Sequence, residues 1–385
     1  MKNVSPPVFY YHSVAPAPFE GWVQKFLTFD LAYFEDQLAY LQSHYHRSIF
    51  MDEWMEFRKG NKKATGKEIC LAFDDGLLDN WVYALPLAKI YGMRFTLFIS
   101  PECVDPRDIV RPTLEDLWRG DCEEKDLQGL GYLSWKEIRL MQESGFVDIQ
   151  SHTMTHAKYT ASPDLEGFYY GGFKGLHPTL NADPSIRWNY MNLPDFESRL
   201  PFGTPLFRER SAVVVRKHTI NPEFFQEAGA LAQKHQINDL LSRPAYEKDV
   251  RALHELYKKS GKLVESIESD AEYQARLQYE VVESKKILEE KLQKPVEFLC
   301  WPHGDNTHET HALAREAGYL ATTAGKLTGE SNAIDRIPRI GTHWELGFWM
   351  NRQKFQYKIA SHYHKQPYYT LWLANEYKNK ILQLF

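Results

Sequence analysis

The chain has 385 residues, 43% of them apolar and 25% charged, with a formal net charge of −5. That length and composition allow one large domain or two ordinary ones with a sizeable core, and exclude a largely disordered chain. No basic block stands out, which argues against a nucleic-acid partner, and no run of roughly 18 apolar residues offers a membrane span.

The opening "MKNVSPPVFYYHSV" has a lone Lys and no long apolar stretch before its prolines. It does not read as a signal peptide, so the expectation is a cytoplasmic protein. Four cysteines, Cys70, Cys103, Cys122 and Cys300, show no CxxC or zinc-finger spacing and are expected to be free thiols in a reducing compartment.

From residue 7 to about 156 strands and helices alternate. "PVFYYHSV" reads as a strand, "DLAYFEDQLAYLQSHY" as a helix, and "EICLAF" as a short buried strand. "WVYALPLAKIYG" is a helix stopped at Gly92, and "RFTLFIS" is the next strand. "SWKEIRLMQESG" has Ser134 as N-cap and Glu137 three residues on, a capping box. "FVDIQSH" follows as a strand. Continuous apolar strands alternating with helices predict a parallel sheet with helices outside it. The pattern resumes near residue 277 with the helix "RLQYEVVESKKILEEKL", the strand "PVEFLCWPHG", the helix "HETHALAREAGY" and the strand "YLATTA", and "AIDRIPRIGTHW" closes it.

Residues 157–270 interrupt the alternation and are expected to be an insertion in a βα loop, acting as a lid or substrate wall. The first half, to about 207, is rich in Pro, Gly and aromatics; the second predicts helices in "PEFFQEAGALAQKH" and "AYEKDVRALHELYKKSG". The domain reading is thus a barrel over 1–345 interrupted by 157–270, with a basic, aromatic tail at 346–385. From residue 348 the tail holds six Lys/Arg against one acid. It is expected to pack across the barrel or form a subunit contact, with peripheral attachment to the inner face of a membrane as the alternative.

Three short stretches carry the candidate chemistry. In "LAFDDG", Asp74 and Asp75 stand at the tip of an apolar strand, and Gly76 permits the sharp turn behind them. Carboxylates at the C-terminal end of a parallel strand lie where α/β barrels place their sites. In "SHTMTH", His152 and His156 also follow a strand; at i and i+4 they would share one face of a helical turn and could grip one ion. One carboxylate and two imidazoles make a three-ligand set with open positions, the pattern of a catalytic metal. "FLCWPHG", residues 298–304, ends a third strand in a Pro/Gly turn that could present a backbone N–H to an oxyanion.

Taken in this order, "LAFDDG", "SHTMTH" and "FLCWPHG" resemble the motifs of the polysaccharide deacetylases, the NodB-homology or carbohydrate esterase family 4 fold. The likeness extends over roughly 7–157 and 275–342 and leaves out the insertion and the tail. It implies a distorted (β/α)7 barrel. It also implies that Asp75, His152 and His156 bind a divalent ion, commonly zinc, with Co2+, Ni2+ or Fe2+ as alternatives. Asp74 would be the general base, Thr153 would brace the metal-binding turn at the substrate side, and the backbone N–H of His303 would help hold the oxyanion. The reaction implied is hydrolytic removal of an N-acetyl group from a sugar, in cell-surface glycan synthesis.

The chain departs from the family at several points. His303 stands where many members have Tyr, and Cys300–Trp301 stand where many have an arginine before the turn, leaving Trp301 as a substrate-side residue. The segment that often carries a catalytic histidine is not clear, so His343 in "RIGTHW" is the candidate acid. Arg339 in "IPRI" is expected to anchor Asp74 or substrate, and Arg107 and Arg111 in "DPRDIVRP" to meet a substrate phosphate. The substrate would be an N-acetylated sugar or glycan, lipid- or nucleotide-linked. Competing readings are hydrolysis of a formamide or allantoin-like amide on the same scaffold, a glycan-binding barrel without turnover, and a non-haem iron oxygenase.

Overall fold

A computed structural model describes residues 4–342 and 347–382. Eight short strands form one sheet: β1 (Val8–Tyr11), β2 (Glu68–Phe73), β3 (Phe95–Ile99), β4 (Val147–Ser151), then, beyond the insertion, β7 (Phe298–Leu299), β8 (Ala321–Thr323), β9 (Arg336–Ile337) and β10 (Ile340–Gly341). The insertion supplies β5 (Lys158–Phe168) and β6 (Pro205–Ser211). The sheet runs in the order β9-β8-β7-β4-β3-β2-β1-β10, and Arg47–Ser48 adds a further short pairing to β2. Every neighbouring pair is parallel, as the strand–helix alternation predicts, and the sheet curls into a distorted, incompletely closed barrel.

The pleat explains why β2 is almost wholly apolar. Ile69, Leu71 and Phe73 on one face of β2 join a core with Phe95, Leu97, Val147 and Leu299. Cys70 and Ala72 on the other face join Val8, Phe298, Ile337 and Trp54. Both faces are covered, so alternation with polar residues would bury unpaired groups. Capping follows the sequence: the Ser134 hydroxyl accepts from Glu137 N, and the Glu137 carboxylate accepts from Ser134 N. The four cysteines are free, and Cys70, Cys103 and Cys300 are buried.

The insertion has its own core, in which Phe168, Phe207, Phe224, Tyr246 and Val250 meet. Both helices expected in its second half form, at Pro222–His235 and Arg243–Lys259. In the first half, for which the sequence reading names no element, β5 and β6 pair antiparallel with two register shifts, and helix Leu176–Ala182 lies between them in the chain. Pro163 and the irregular register hide the period-two pattern that identifies strands.

The tail packs across the barrel. Helix Phe348–His362 buries Phe355 and Ile359, with the Phe355 ring 4.8 Å from Phe9 of β1, and Arg352 pairs with Asp36. Among the described residues no helix is long and apolar enough to cross a membrane.

Candidate active site

Parallel strands bring their C-terminal tips to one end, and the ladder continues into the loops beyond. Asp74 N donates to Tyr11 O at 3.0 Å, His152 N to Ile99 O at 2.8 Å, and Cys300 N to Ser151 O at 2.9 Å. The residues that follow these strands therefore inherit the sheet's positional accuracy. Gly76 is required where it stands: its φ is +73°, and a Cβ there would lie 2.8 Å from Ile99 Cγ2.

Asp75, His152 and His156 converge. Asp75 Oδ1 lies 3.1 Å from His152 Nε2 and 3.2 Å from His156 Nε2, yet it is buried without a hydrogen-bond partner. With the proton of His152 on Nδ1, which lies 2.8 Å from Cys300 O, Nε2 is left as a lone pair facing the carboxylate. Lone pairs gathered within 4.8 Å of one another repel in the absence of a proton or cation between them. The donor set, two imidazoles and a carboxylate with a backbone carbonyl orienting one ring, fits a divalent ion of the zinc type.

The route to this convergence differs from the helical turn the His152–His156 spacing suggests. Residues 152–156 are not helical; Thr153 and His156 hold φ of +63° and +54°. A buried carboxylate pins the turn: Glu280 Oε2 accepts from Met154 N and Thr155 N, each at 3.1 Å, while Oε1 accepts from the Thr155 hydroxyl. The Thr153 hydroxyl faces the same group, so Thr153 braces the turn and does not line the cavity. Glu280 sits in a widened, π-helical turn at Gln278–Glu283, a distortion frequent beside functional sites. Sequence reading missed it, because a partner 125 residues away leaves no local signal. Asp75 and His303 also hold positive φ, at +75° and +58°. Four of the eight described non-glycine residues with positive φ thus sit in these motifs, the clustering expected where surrounding structure enforces a strained site.

Asp74 has a different partner. Arg339 Nη1 lies 2.7 and 2.8 Å from its two carboxylate oxygens, and the guanidinium rests on the Tyr10 ring at 4.4 Å. His12 Nε2 is 3.8 Å from Asp74 Oδ2, and the Cys300 thiol donates weakly to Oδ1 at 3.6 Å. Burial opposes ionisation of Asp74, but Arg339 and the nearby imidazoles outweigh it and hold the carboxyl below its ordinary value.

These residues line a cavity of about 470 Å3, with Trp301, His303, Lys326, Gln24, Phe26 and Phe173 among its walls. Trp301 Nε1 and His303 Nε2 are buried there without a hydrogen-bond partner. The His303 ring stands 4.4 Å from His156 and 5.3 Å from His177 of the insertion. Burial, followed by the neighbouring His156, holds His303 well below the usual imidazole range.

Two expected contacts lie elsewhere. Arg107 pairs with Asp105, and Arg111 donates to Glu137 and to Tyr132 O, so both guanidiniums fasten the 105–137 loop and neither lines the cavity. His343 lies outside the described residues.

Comparison with known proteins adds the following. Residues 61–167 match the polysaccharide deacetylase family model. YxkH of Bacillus subtilis (strain 168), a provisionally named polysaccharide deacetylase, is 23% identical over 155 residues, 40% of this chain. That match spans only 44% of YxkH, less than half of its length. Among solved structures, a de-N-acetylase from Aggregatibacter actinomycetemcomitans gives a TM-score of 0.47 at 15% identity, covering 82% of this chain and 86% of that one. BC0361, a polysaccharide deacetylase from Bacillus cereus, gives 0.46 at 16% identity, covering 91% and 68%.

Proposed function

The chain carries a polysaccharide deacetylase domain, and from that premise we propose that it is a metal-dependent hydrolase that removes the N-acetyl group of an N-acetylated sugar. The observation that carries this reading is the separation of two adjacent carboxylates, Asp75 toward His152 and His156 and Asp74 toward Arg339. A barrel that only bound glycans would have no use for a second buried carboxylate held ionised by an arginine.

In this reading Asp75, His152 and His156 hold a divalent cation, zinc being the first choice. When bound, the cation polarises the amide carbonyl and acidifies water. Asp74 takes the proton of the attacking water, and Arg339 keeps that carboxylate charged and aimed until it does so. The backbone N–H of His303 faces the forming oxyanion. The unpartnered Trp301 N–H offers a donor to a substrate oxygen. The leaving amine needs an acid, for which the sequence nominates His343. A place in cell-surface glycan synthesis belongs to the same proposal.

The test is metal content beside acetate release, after zinc or cobalt reconstitution. Wild type should hold about one ion per chain, and Asp75→Asn and His152→Ala should lose it. Asp74→Asn should keep the ion and lose acetate release from N-acetylated sugars. A wild type that takes up no ion would sink the hydrolytic reading. Faster hydrolysis of N-formyl or ureide substrates would move the assignment to another amide on the same scaffold.

A further inference from the structure

The insertion reaches the cavity through an aromatic side chain that the chemistry above does not use. Phe173 meets Phe26, from the loop after β1, edge to face with ring centroids 5.2 Å apart and planes at 83°. Both line the same cavity as Asp74 and Asp75. Both are nevertheless open to water, Phe26 at 51% and Phe173 at 37% of their surface. Large apolar side chains left exposed together on the rim of a polar site mark a ligand-binding surface. An aromatic ring suits the apolar C–H face of a sugar, and Phe173 and Phe26 supply such faces at the rim, across a cavity whose walls also include Tyr10, Trp301, Lys326 and Ser331.

The bridge is not a loose flap. Behind it, Trp22 of the β1 loop is buried with Leu176, Ile186, Tyr190 and Phe196 of the insertion. Gln24 Nε2 also donates to the Tyr190 hydroxyl at 2.9 Å. The two loops are thus joined by a core of their own, and that side of the cavity is walled. Gly171 and Gly172, at φ of +93° and +81°, let the chain turn into Phe173 at the rim.

We propose that the Phe26–Phe173 bridge is an end wall that confines the enzyme to terminal units of short N-acylated saccharides and stacks on the ring it admits. A long glycan has to pass through an open groove, whereas a walled cavity of this size accepts a chain end. The proposal rests on the deacetylase reading and names its substrate class.

The experiment uses the full chain reconstituted with zinc, on β-1,4- and β-1,6-linked N-acetylhexosamine ladders of increasing length. Released acetate is quantified and the freed amine is located by tandem mass spectrometry. Wild type should deacetylate end units only, with kcat/KM falling as length grows. The Phe26→Ala/Phe173→Ala double variant should spread deacetylation inward and raise kcat/KM for the longest member at least tenfold relative to the shortest, while Phe173→Tyr should keep the wild-type pattern. Melting curves establish that each variant is folded. Wild type attacking inner units as fast as terminal ones, or a folded double variant with an unchanged pattern, overturns the end wall and leaves the deacetylase reading intact. Acetate from no member, with the ion bound, overturns the deacetylase reading itself.

Discussion

The barrel and the insertion meet at one cavity and bring different materials to it. The barrel supplies the acids and bases named there, Asp74, Asp75, His152, His156, His303, Lys326 and Arg339, while the insertion lends an aromatic edge, Phe173. The barrel's groups stand on strand tips fixed by sheet hydrogen bonds, and Phe173 stands beside the core that the insertion shares with the β1 loop. Reactive groups are thus pinned to strand tips, and shape selection is left to a region that touches them at its edge, where His177 meets His303.

Asp74→Asn should break the barrel's side of this division most severely. We expect kcat to fall by about 10^2- to 10^4-fold with metal content unchanged, read by acetate release beside metal analysis. A drop below tenfold would place the base elsewhere. On the insertion's side, Phe224→Ala empties a fully buried position and should cost about 3–5 kcal/mol of the insertion's stability. Cation affinity should survive it; a parallel loss of affinity in metal titrations would show that the two regions are one cooperative unit.

Glu280→Gln sharpens the comparison inside the barrel. It keeps the side-chain shape but gives up the negative charge toward Met154 N, Thr155 N and the Thr155 hydroxyl. Metal affinity should weaken by about 10- to 100-fold, as for other groups that orient ligands. The smallest effect is expected at His46, far from the motif turns. Burial pushes its imidazole down to about 4, while the unfolded chain titrates at about 6.5. The unfolded state therefore takes up a proton first as pH falls, so this stability is whole above about pH 6.5 and is lost progressively toward about pH 4. His46→Gln should flatten the dependence of Tm on pH across that window.

The barrel is legible because its central strands are short, largely apolar runs and the three motifs follow strands. Asp74, Asp75, His152 and His303 are legible for that reason, and the order of motifs supplies the rest. Legibility fails where a long-range partner decides the conformation. The His152–His156 turn looks helical by spacing, yet Glu280 holds it in a strained, non-helical path. Arg107 and Arg111 look available for phosphate until Asp105 and Glu137 are seen to engage them. Arg339 is the reverse case: its sequence position leaves Asp74 or substrate open, and in the fold it pairs with Asp74 while also lining the cavity. Phe26 and Phe173 lie 147 positions apart in the numbering and meet only because the insertion folds back on the β1 loop.

The cover of β1 also has a consequence in time. Phe9 pairs with Ile340 and packs on Phe355, so it must wait for two residues made long after it. Synthesis runs at roughly 5–20 residues per second, which leaves this seam unsealed for tens of seconds while the insertion, contiguous in sequence, can already fold. A nascent chain stalled before residue 340 should therefore hold a formed insertion beside an unfinished barrel, and a chaperone would find its foothold on β1.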